Sequence, residues 1–131
     1  GKAADVFVAG DHQSTFAGNH LACSAGLVVL DTVSDPDFLD RVNHAGDYIR
    51  GKISSWNLPI VKDVRGKGLM IGTQIDPSIK PFDIEVKCLE RGLCTTTAGS
   101  DVIRFLPPLV ISYDEIDKGL EIFKKVLESL N

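Results

Sequence analysis

The stretch that decides the fold is Leu93-Cys94-Thr95-Thr96-Thr97-Ala98-Gly99-Ser100-Asp101-Val102-Ile103-Arg104-Phe105. It contains two short runs rich in β-branched residues, Leu93–Thr97 and Val102–Phe105, joined by the turn-like residues Ala98–Asp101. Two such runs separated by a short segment that contains glycine predict a β-hairpin. Because a hairpin pairs its strands antiparallel, this stretch predicts an antiparallel sheet.

A second pair of extended segments lies earlier in the chain. Ile60–Arg65 and Leu69–Ile75 flank Gly66-Lys67-Gly68, and two glycines at this spacing suit a turn or a bulge. Together with the hairpin, these segments predict a sheet of three or four strands.

Apolar residues at helical spacing predict four helices around the sheet. The helices run from about Asn19 to Val33, from Pro36 to about Trp56, from Pro81 to a stop at Gly92, and from Ser112 to the carboxyl end. Their apolar positions are Leu21, Ala25, Val28 and Val29; Phe38, Val42, Ala45, Ile49 and Ile53; Phe82, Val86 and Leu89; and Ile116, Leu120, Phe123, Leu127 and Leu130. Asp35 is a candidate N-cap, and Ser112 with Glu115 forms a capping box. The chain is therefore predicted to be an α+β domain in which helices pack on a small, mainly antiparallel sheet.

Length and composition restrict the class of protein. The 131 residues are enough for one hydrophobic core. A hydrophobic fraction of 44% and a charged fraction of 24% are typical of a globular chain. The 14 basic and 18 acidic residues are mixed along the chain, so no basic stripe predicts nucleic-acid binding. Since no apolar run approaches the ~20 residues of a membrane span and no leader is visible, we expect a cytoplasmic protein that binds no membrane.

Cysteine and histidine give no sign of a metal site or a disulfide. The three cysteines, Cys23, Cys88 and Cys94, lack paired spacing, which favours reduced, buried side chains. The three histidines, His12, His20 and His44, fall on different predicted elements and show no ligand spacing. We therefore expect no bound metal.

Two hydroxyl residues precede the first helix. Ser14 and Thr15, followed by residues 16–19, place their hydroxyls and several backbone N–H groups just before the helix begins. This arrangement can hold an anion such as a phosphate. The alternative is an ordinary, solvent-exposed helix cap rich in Ser and Thr.

One arginine interrupts an apolar run. Arg104 lies within residues 102–109, where strand alternation puts it on the same face as Val102. Its planar guanidinium either binds a carboxylate or turns to solvent. Arg65, beside Gly66, is expected to be a turn or surface charge. The residues themselves leave the function open between an anion pocket with a carboxylate clamp and an ordinary protein surface.

Three stretches in collinear order resemble the class III pyridoxal-phosphate aminotransferase family. They are residues 11–23 (DHQSTFAGNHLAC), residues 64–72 (VRGKGLMIG) and residues 98–109 (AGSDVIRFLPPL). The segment from Ile111 through the last helix also agrees. The family usually has glycine in place of Gln13 and Ala17 and proline in place of His20. Because the three motifs are separated along the chain, they are more specific together than any one of them.

The resemblance implies how the chain is divided. Residues 1–18 would be a segment at the cofactor site or between domains, and residues 19–131 the small carboxy-terminal domain of a fold-type I aminotransferase. The lysine that holds pyridoxal 5'-phosphate in this family would lie before Gly1, and Lys2 is not at its position. We therefore expect a carboxy-terminal fragment, inactive by itself, of a cytoplasmic homodimer that lacks here its large domain.

The resemblance also implies roles for three residues. Thr15 corresponds to the hydroxyl that binds the cofactor phosphate across the subunit interface, Ser14 to a contact with the acetylated substrate, and Arg104 to the arginine that binds a substrate α-carboxylate. No catalytic or metal-binding role falls on this chain. The parent enzyme would transfer an amino group from N2-acetylornithine to 2-oxoglutarate in arginine biosynthesis.

Two alternatives remain open. The parent could be a family member that uses ornithine, succinylornithine, 4-aminobutyrate or acetyl-lysine. Alternatively, the chain itself could be a stand-alone, non-catalytic binding domain that keeps this fold.

Overall fold

The computed structural model describes residues 6–11 and 14–130, which form four helices and four strands. The elements are α1 (His20–Val33), α2 (Pro36–Ser55), β1 (Val61–Lys67), β2 (Met70–Ile75), α3 (Pro81–Glu90), β3 (Thr96–Ala98), β4 (Val102–Phe105) and α4 (Tyr113–Glu128). Lys2, His12 and Gln13 lie outside the described residues. Two compact units make up the chain, one ending at Phe38 and the other beginning at Leu39. The division expected after residue 18 remains a prediction.

Helix α1 is the main element of the first unit. Asn19 is its N-cap, because the side-chain Oδ1 accepts a hydrogen bond from the backbone N–H of Ala22 at 2.9 Å. The helix lies where the sequence predicts it, and none of its residues is buried. Its large apolar side chains are 58–82% exposed; they are Leu21, Leu27, Val28, Val29 and Leu30.

The second unit is built on one antiparallel sheet of four strands in the order β1-β2-β4-β3. The β3–β4 pair is the predicted hairpin, but β3 comprises Thr96–Ala98 instead of the predicted Leu93–Thr97. The β1–β2 pair joins the two extended segments predicted around Gly66-Lys67-Gly68, and β2–β4 pairing completes the sheet. Gly66, near the end of β1, has φ of 155°, and a Cβ there would overlap the carbonyl oxygen of Met70, so the β1–β2 pair requires glycine at this position. The α+β fold with a mainly antiparallel sheet is confirmed.

One face of the sheet carries the hydrophobic core. Its alternating residues Ile71, Thr73 and Ile75 of β2 are fully buried, and the Phe105 ring of β4 packs 4.9 Å from the Phe123 ring of α4. Helix α2 adds Val42, Ala45, Ile49 and Ile53 of its predicted apolar face, whereas Phe38, also predicted there, is not buried. The Trp56 ring, just after α2, lies 6.1 Å from Phe123. The largest fully buried side chains are Ile53, Ile71, Thr73, Ile75, Ile84, Cys88, Ile103, Phe123, Val126 and Leu127. The opposite face carries Gly72, Gln74, Thr96 and Arg104, which are exposed or half-buried, together with the buried Val102, and we call it the open face.

The predicted helix starts of α2 and α4 are confirmed. The backbone N–H of Asp37 donates to Asp35 Oδ1 at 2.9 Å. Ser112 and Glu115 form the capping box, in which the backbone N–H of Ser112 donates to Glu115 Oε2 at 2.9 Å. These hydrogen bonds satisfy backbone N–H groups that have no partner inside the helix.

The predicted apolar face of α3 is wrong. Phe82 and Leu89 are 63% and 62% exposed, whereas Ile84 and Cys88 are fully buried. Helix α3 carries two rows of apolar residues, and its packing on β3, β4 and α4 selects the row that includes Ile84 and Cys88. Spacing identifies such rows but does not say which of them meets the sheet.

The prediction of buried cysteines holds for one of the three. Cys88 is buried, whereas Cys23 and Cys94 are exposed, and all three are free. Burial raises the pKa of the Cys88 thiol to about 11, with Arg91 acting in the opposite direction. Cys88 is therefore a neutral core residue at physiological pH.

Candidate functional site

Arg104 lies in β4 with its side chain on the open face. In the sheet it stands opposite Gly72 of β2 on one side and opposite Thr96 of β3 on the other. Its Nε donates a hydrogen bond to Thr96 Oγ1 at 3.3 Å. In the part of the chain that the structure describes, this is its one hydrogen bond, and Nη1 and Nη2 have no partner. The alternation predicted from the sequence is correct, because Ile103 on the other face is fully buried.

A second arginine lies in the same row across the sheet. Arg65 of β1 also stands opposite Gly72, and its Nη1 donates to Asp63 Oδ2 at 2.7 Å and to Gln74 Oε1 at 3.2 Å. The Gln74 Nε2 in turn donates to Asp101 Oδ2 at 2.7 Å. Arg65 is therefore an ion-paired surface residue, as predicted.

The row Arg65–Gly72–Arg104–Thr96 thus contains two guanidinium groups in different states. Arg65 is neutralised by a neighbouring carboxylate, whereas Arg104 keeps four N–H donors unpaired. A Cβ at Gly72 would lie 3.1 Å from Val102 Cγ1, so a side chain between the two arginines would crowd the sheet. The unpaired Arg104 guanidinium, with Gly72 beside it in the sheet, is suited to binding a planar carboxylate.

Ser14 and Thr15 lie in the first unit, in the turn that leads into α1. The Ser14 carbonyl accepts a hydrogen bond from the Ala17 N–H at 3.2 Å, and the Phe16 carbonyl accepts one from the Asn19 N–H at 3.4 Å. Because Asn19 caps α1, the alternative in which Ser14 or Thr15 is the cap is wrong. Both residues are exposed, and among the described residues no partner occupies either hydroxyl. The two hydroxyls are therefore available to an anion near the helix N-terminus.

The sequence also predicts that the chain binds no metal and crosses no membrane. Within residues 6–11 and 14–130, no group of three His, Cys, Asp or Glu side chains is placed to hold a metal ion. The helices in this part of the chain are too short or too polar to cross a membrane.

A cavity of about 270 Å³ opens where β4 ends. Apolar side chains form most of its lining, including Phe105, Leu106 and Ile111. The Glu115 carboxylate also lines it, but the capping box with Ser112 already uses this group. The free thiol of Cys94 also lines the cavity, but a thiol is a weak hydrogen-bond donor, so this lining offers little that would orient a ligand.

Comparison with known proteins identifies the family. The family model described as Aminotransferase class-III matches residues 1–127. The chain belongs to the class III aminotransferases.

Several named aminotransferases resemble the chain along almost all of its length. It is 42% identical over 127 residues to the acetylornithine aminotransferase of Caldanaerobacter subterraneus subsp. tengcongensis, covering 95% of this chain and 32% of that protein. It is 40% identical over 124 residues to ornithine aminotransferase 2 of Staphylococcus aureus, covering 95% of this chain and 31% of that protein. The crystal structure of ornithine aminotransferase from Toxoplasma gondii superimposes with a TM-score of 0.81 at 30% identity, covering 99% of this chain and 32% of that one. The chain spans about a third of the length of these relatives.

Sequence reasoning missed the neighbours of Arg104 in this class III aminotransferase chain. Thr96 was considered only as part of a β-branched run, and the hydrogen bonds that join Asp63, Arg65, Gln74 and Asp101 were not expected. The register of each hairpin and the pairing of β2 with β4 determine these features. The sequence does contain a signal for Thr96. The length of the turn in a hairpin fixes the register of its strands, so each turn length that is considered predicts which residue lies opposite Arg104.

Proposed function

We propose that the chain is the carboxy-terminal part of a pyridoxal-phosphate-dependent aminotransferase in which Arg104 binds a substrate carboxylate. The observation that carries the proposal is the Arg104 guanidinium on the open face, with Nη1 and Nη2 unpaired in the described structure. The complete enzyme is a cytoplasmic homodimer that transfers an amino group from N2-acetylornithine to 2-oxoglutarate in arginine biosynthesis. The 42% identity to an acetylornithine aminotransferase supports this choice of amino donor.

Arg104 contributes orientation as well as charge. A guanidinium donates two parallel hydrogen bonds to the two oxygens of a carboxylate, which fixes the plane of the bound group. Holding the α-carboxylate in this way places the α-carbon and its nitrogen at a defined distance from the sheet. Such positioning lowers the entropy that the reacting groups lose on reaching the transition state.

The residues of the first unit fit the phosphate end of the cofactor. In our proposal the Thr15 hydroxyl donates to the phosphate of pyridoxal phosphate across the subunit interface, and Ser14 contacts the acetylated substrate. Both hydroxyls are exposed just before the N-terminus of α1, where a negative charge is stabilised by the helix dipole. When bound, the cofactor supplies an electron sink for the negative charge that develops on the substrate.

We expect the 131-residue chain to show no transamination by itself. The lysine that holds the cofactor in the family precedes the segment that this chain resembles. Thr15, Ser14 and Arg104 then bind and orient ligands in the complete enzyme without transferring a proton.

A second candidate is an ornithine aminotransferase. Its support is the 40% identity to ornithine aminotransferase 2, which is close to the value for the acetylornithine enzyme. The two candidates share the proposed role of Arg104 and differ in the amino donor. Supplying N2-acetylornithine or ornithine to the complete enzyme, and following the absorbance of its cofactor, separates them.

The test of the proposal compares two arginines of the same sheet row in the complete enzyme. Arg104→Ala is expected to lower kcat/KM for 2-oxoglutarate by about 30- to 1000-fold, or about 2–4 kcal/mol, because a charged group loses its hydrogen-bonded partner. Arg65→Ala is the matched control, since Arg65 is already paired with Asp63, and we expect a change of less than about threefold. Unchanged kinetics with Arg104→Ala, or an equal loss with Arg65→Ala, contradicts the assignment.

A further inference from the structure

We propose that Thr96 is a positioning residue that orients Arg104 for its carboxylate. The Thr96 Oγ1 accepts a hydrogen bond from the Arg104 Nε, and this bond turns the Nη1–Nη2 edge of the guanidinium toward the substrate. The inference rests on the proposed function of Arg104 and names a second residue that determines affinity for the dicarboxylic substrate.

The geometry of the hairpin places the acceptor. Thr96 and Arg104 are directly opposite each other in the β3–β4 pair, and the next two pairs, Thr97 with Ile103 and Ala98 with Val102, hold this register. Opposite residues in an antiparallel pair share a face of the sheet, so both side chains lie on the open face. Because threonine is β-branched, its χ1 is restricted, and the position of the Oγ1 acceptor is well defined.

The hydrogen bond selects one edge of the guanidinium. A carboxylate can meet an arginine through the Nε and one Nη, or through the two Nη groups. With Nε donating to Thr96 Oγ1 at 3.3 Å, the first of these edges is already engaged. The four remaining N–H donors all belong to Nη1 and Nη2, so a bidentate carboxylate is directed to that edge.

Other polar groups of the open face do not take over this role. The Asp63 carboxylate and the Gln74 amide oxygen both accept from Arg65, and the Asp101 carboxylate accepts from Gln74. The residue on the other side of Arg104 is Gly72, which has no side chain. Thr96 is therefore the side chain that restrains the Arg104 head within the described residues.

Restraint before binding raises affinity. A free arginine side chain samples many rotamers and loses this freedom when a carboxylate binds. A guanidinium that is already oriented by Thr96 loses less, and the difference appears as a lower dissociation constant.

The experiment uses the complete aminotransferase and four substitutions, one of which is Arg104→Ala, the variant that removes the proposed carboxylate-binding group. Thr96→Val keeps the shape of the side chain and removes the acceptor, and Thr96→Ser restores the hydroxyl. Thr97→Val makes the same chemical change at the adjacent residue, whose partner Ile103 lies on the buried face. The readouts are the dissociation constant of glutarate, an unreactive five-carbon dicarboxylate, by calorimetry, and separate kcat and KM values for 2-oxoglutarate.

With Thr96→Val, glutarate is expected to bind about fivefold more weakly and KM for 2-oxoglutarate to rise about fivefold, with kcat and Tm nearly unchanged. Thr96→Ser is expected to restore both values, and Thr97→Val to leave them at the wild-type level. If Arg104→Ala loses binding but Thr96→Val does not, the positioning role is overturned while the proposed function stands. A loss that Thr96→Ser fails to restore, or a fall in Tm that accompanies it, also overturns the positioning role. If Arg104→Ala itself has no effect, the proposed function fails.

Discussion

Helices α1 and α4 belong to the two units of the chain and are stabilised in different ways. Helix α4 alternates apolar and charged residues and buries five side chains, whereas α1 has apolar residues on all sides and buries none. Both begin with a side-chain cap, Ser112 for α4 and Asn19 for α1. Capping is therefore common to the two units, and a packed core is specific to the second.

The comparison shows that apolar content alone does not produce a core. An amphipathic helix packs one face on its own domain, whereas a helix that is apolar all round requires cover on several sides. Under the proposed function, a large domain and a second subunit supply that cover for α1. The second unit has its own core and is expected to hold its fold through that core.

The largest expected effect is on the core of the second unit. Phe123 is fully buried and contacts Phe105 and Trp56, so Phe123→Ala is expected to lower the free energy of unfolding by about 3–5 kcal/mol. Phe16 in the first unit is 80% exposed, and Phe16→Ala is the control, with an expected change within about 0.5 kcal/mol. Urea unfolding followed by the fluorescence of Trp56, the chain's one tryptophan, measures both. A similar decrease in the free energy of unfolding for the two variants would contradict the difference in packing between the two units.

A glycine-to-alanine change is expected to act in opposite directions in the two units. Gly46 of α2 lies against the Gly68 backbone, and a Cβ there would overlap the Gly68 carbonyl oxygen, so Gly46→Ala is expected to cost about 1–3 kcal/mol. Nothing lies within 4 Å of a Cβ at Gly26 of α1, so Gly26→Ala is expected to favour the helix by up to about 1 kcal/mol. Urea midpoints report the first change, and helix content by far-ultraviolet circular dichroism reports the second. If both substitutions destabilise the protein, or both stabilise it, the difference in packing around Gly46 and Gly26 is contradicted.

The smallest expected effect concerns pH and the cap of α4. Hydrogen bonds from the backbone and the hydroxyl of Ser112 lower the pKa of Glu115 from its ordinary value of 4.5. A carboxyl group with a lowered pKa in the folded state stabilises the fold fully above its unfolded pKa, and this stabilisation is lost as pH falls toward the folded pKa. We therefore expect the urea midpoint to fall as pH drops below about 4.5, by less in Glu115→Gln than in the wild type.

Glutamine is a suitable control at this position because it also serves in a capping box and does not titrate. The midpoints of the two proteins are compared at neutral pH and at about pH 3, where the Glu115 contribution declines. If both proteins lose stability equally over this range, the ionised Glu115 carboxylate is not what stabilises the start of α4.

Most of the fold was predictable, because its signals are local. The turn at Gly99–Asp101, the Ser112–Glu115 capping box and the Asn19 start of α1 each involve hydrogen bonds or φ values within about four residues. The candidate site was predictable in part. The alternation in β4 put Arg104 on the correct face, but the choice between a clamp and a surface charge depended on its neighbours.

Local patterns in the chain were sufficient for the helices, the hairpins, the antiparallel sheet and the family. Tertiary packing determined which row of α3 is buried, that Arg65 reaches Gln74 in addition to the nearby Asp63, and that Thr96 faces Arg104. The physical reason is separation along the chain. A cap or a turn joins neighbours, whereas the contacts from Arg65 to Gln74 and from Gln74 to Asp101 span 9 and 27 residues and exist only after the strands pair.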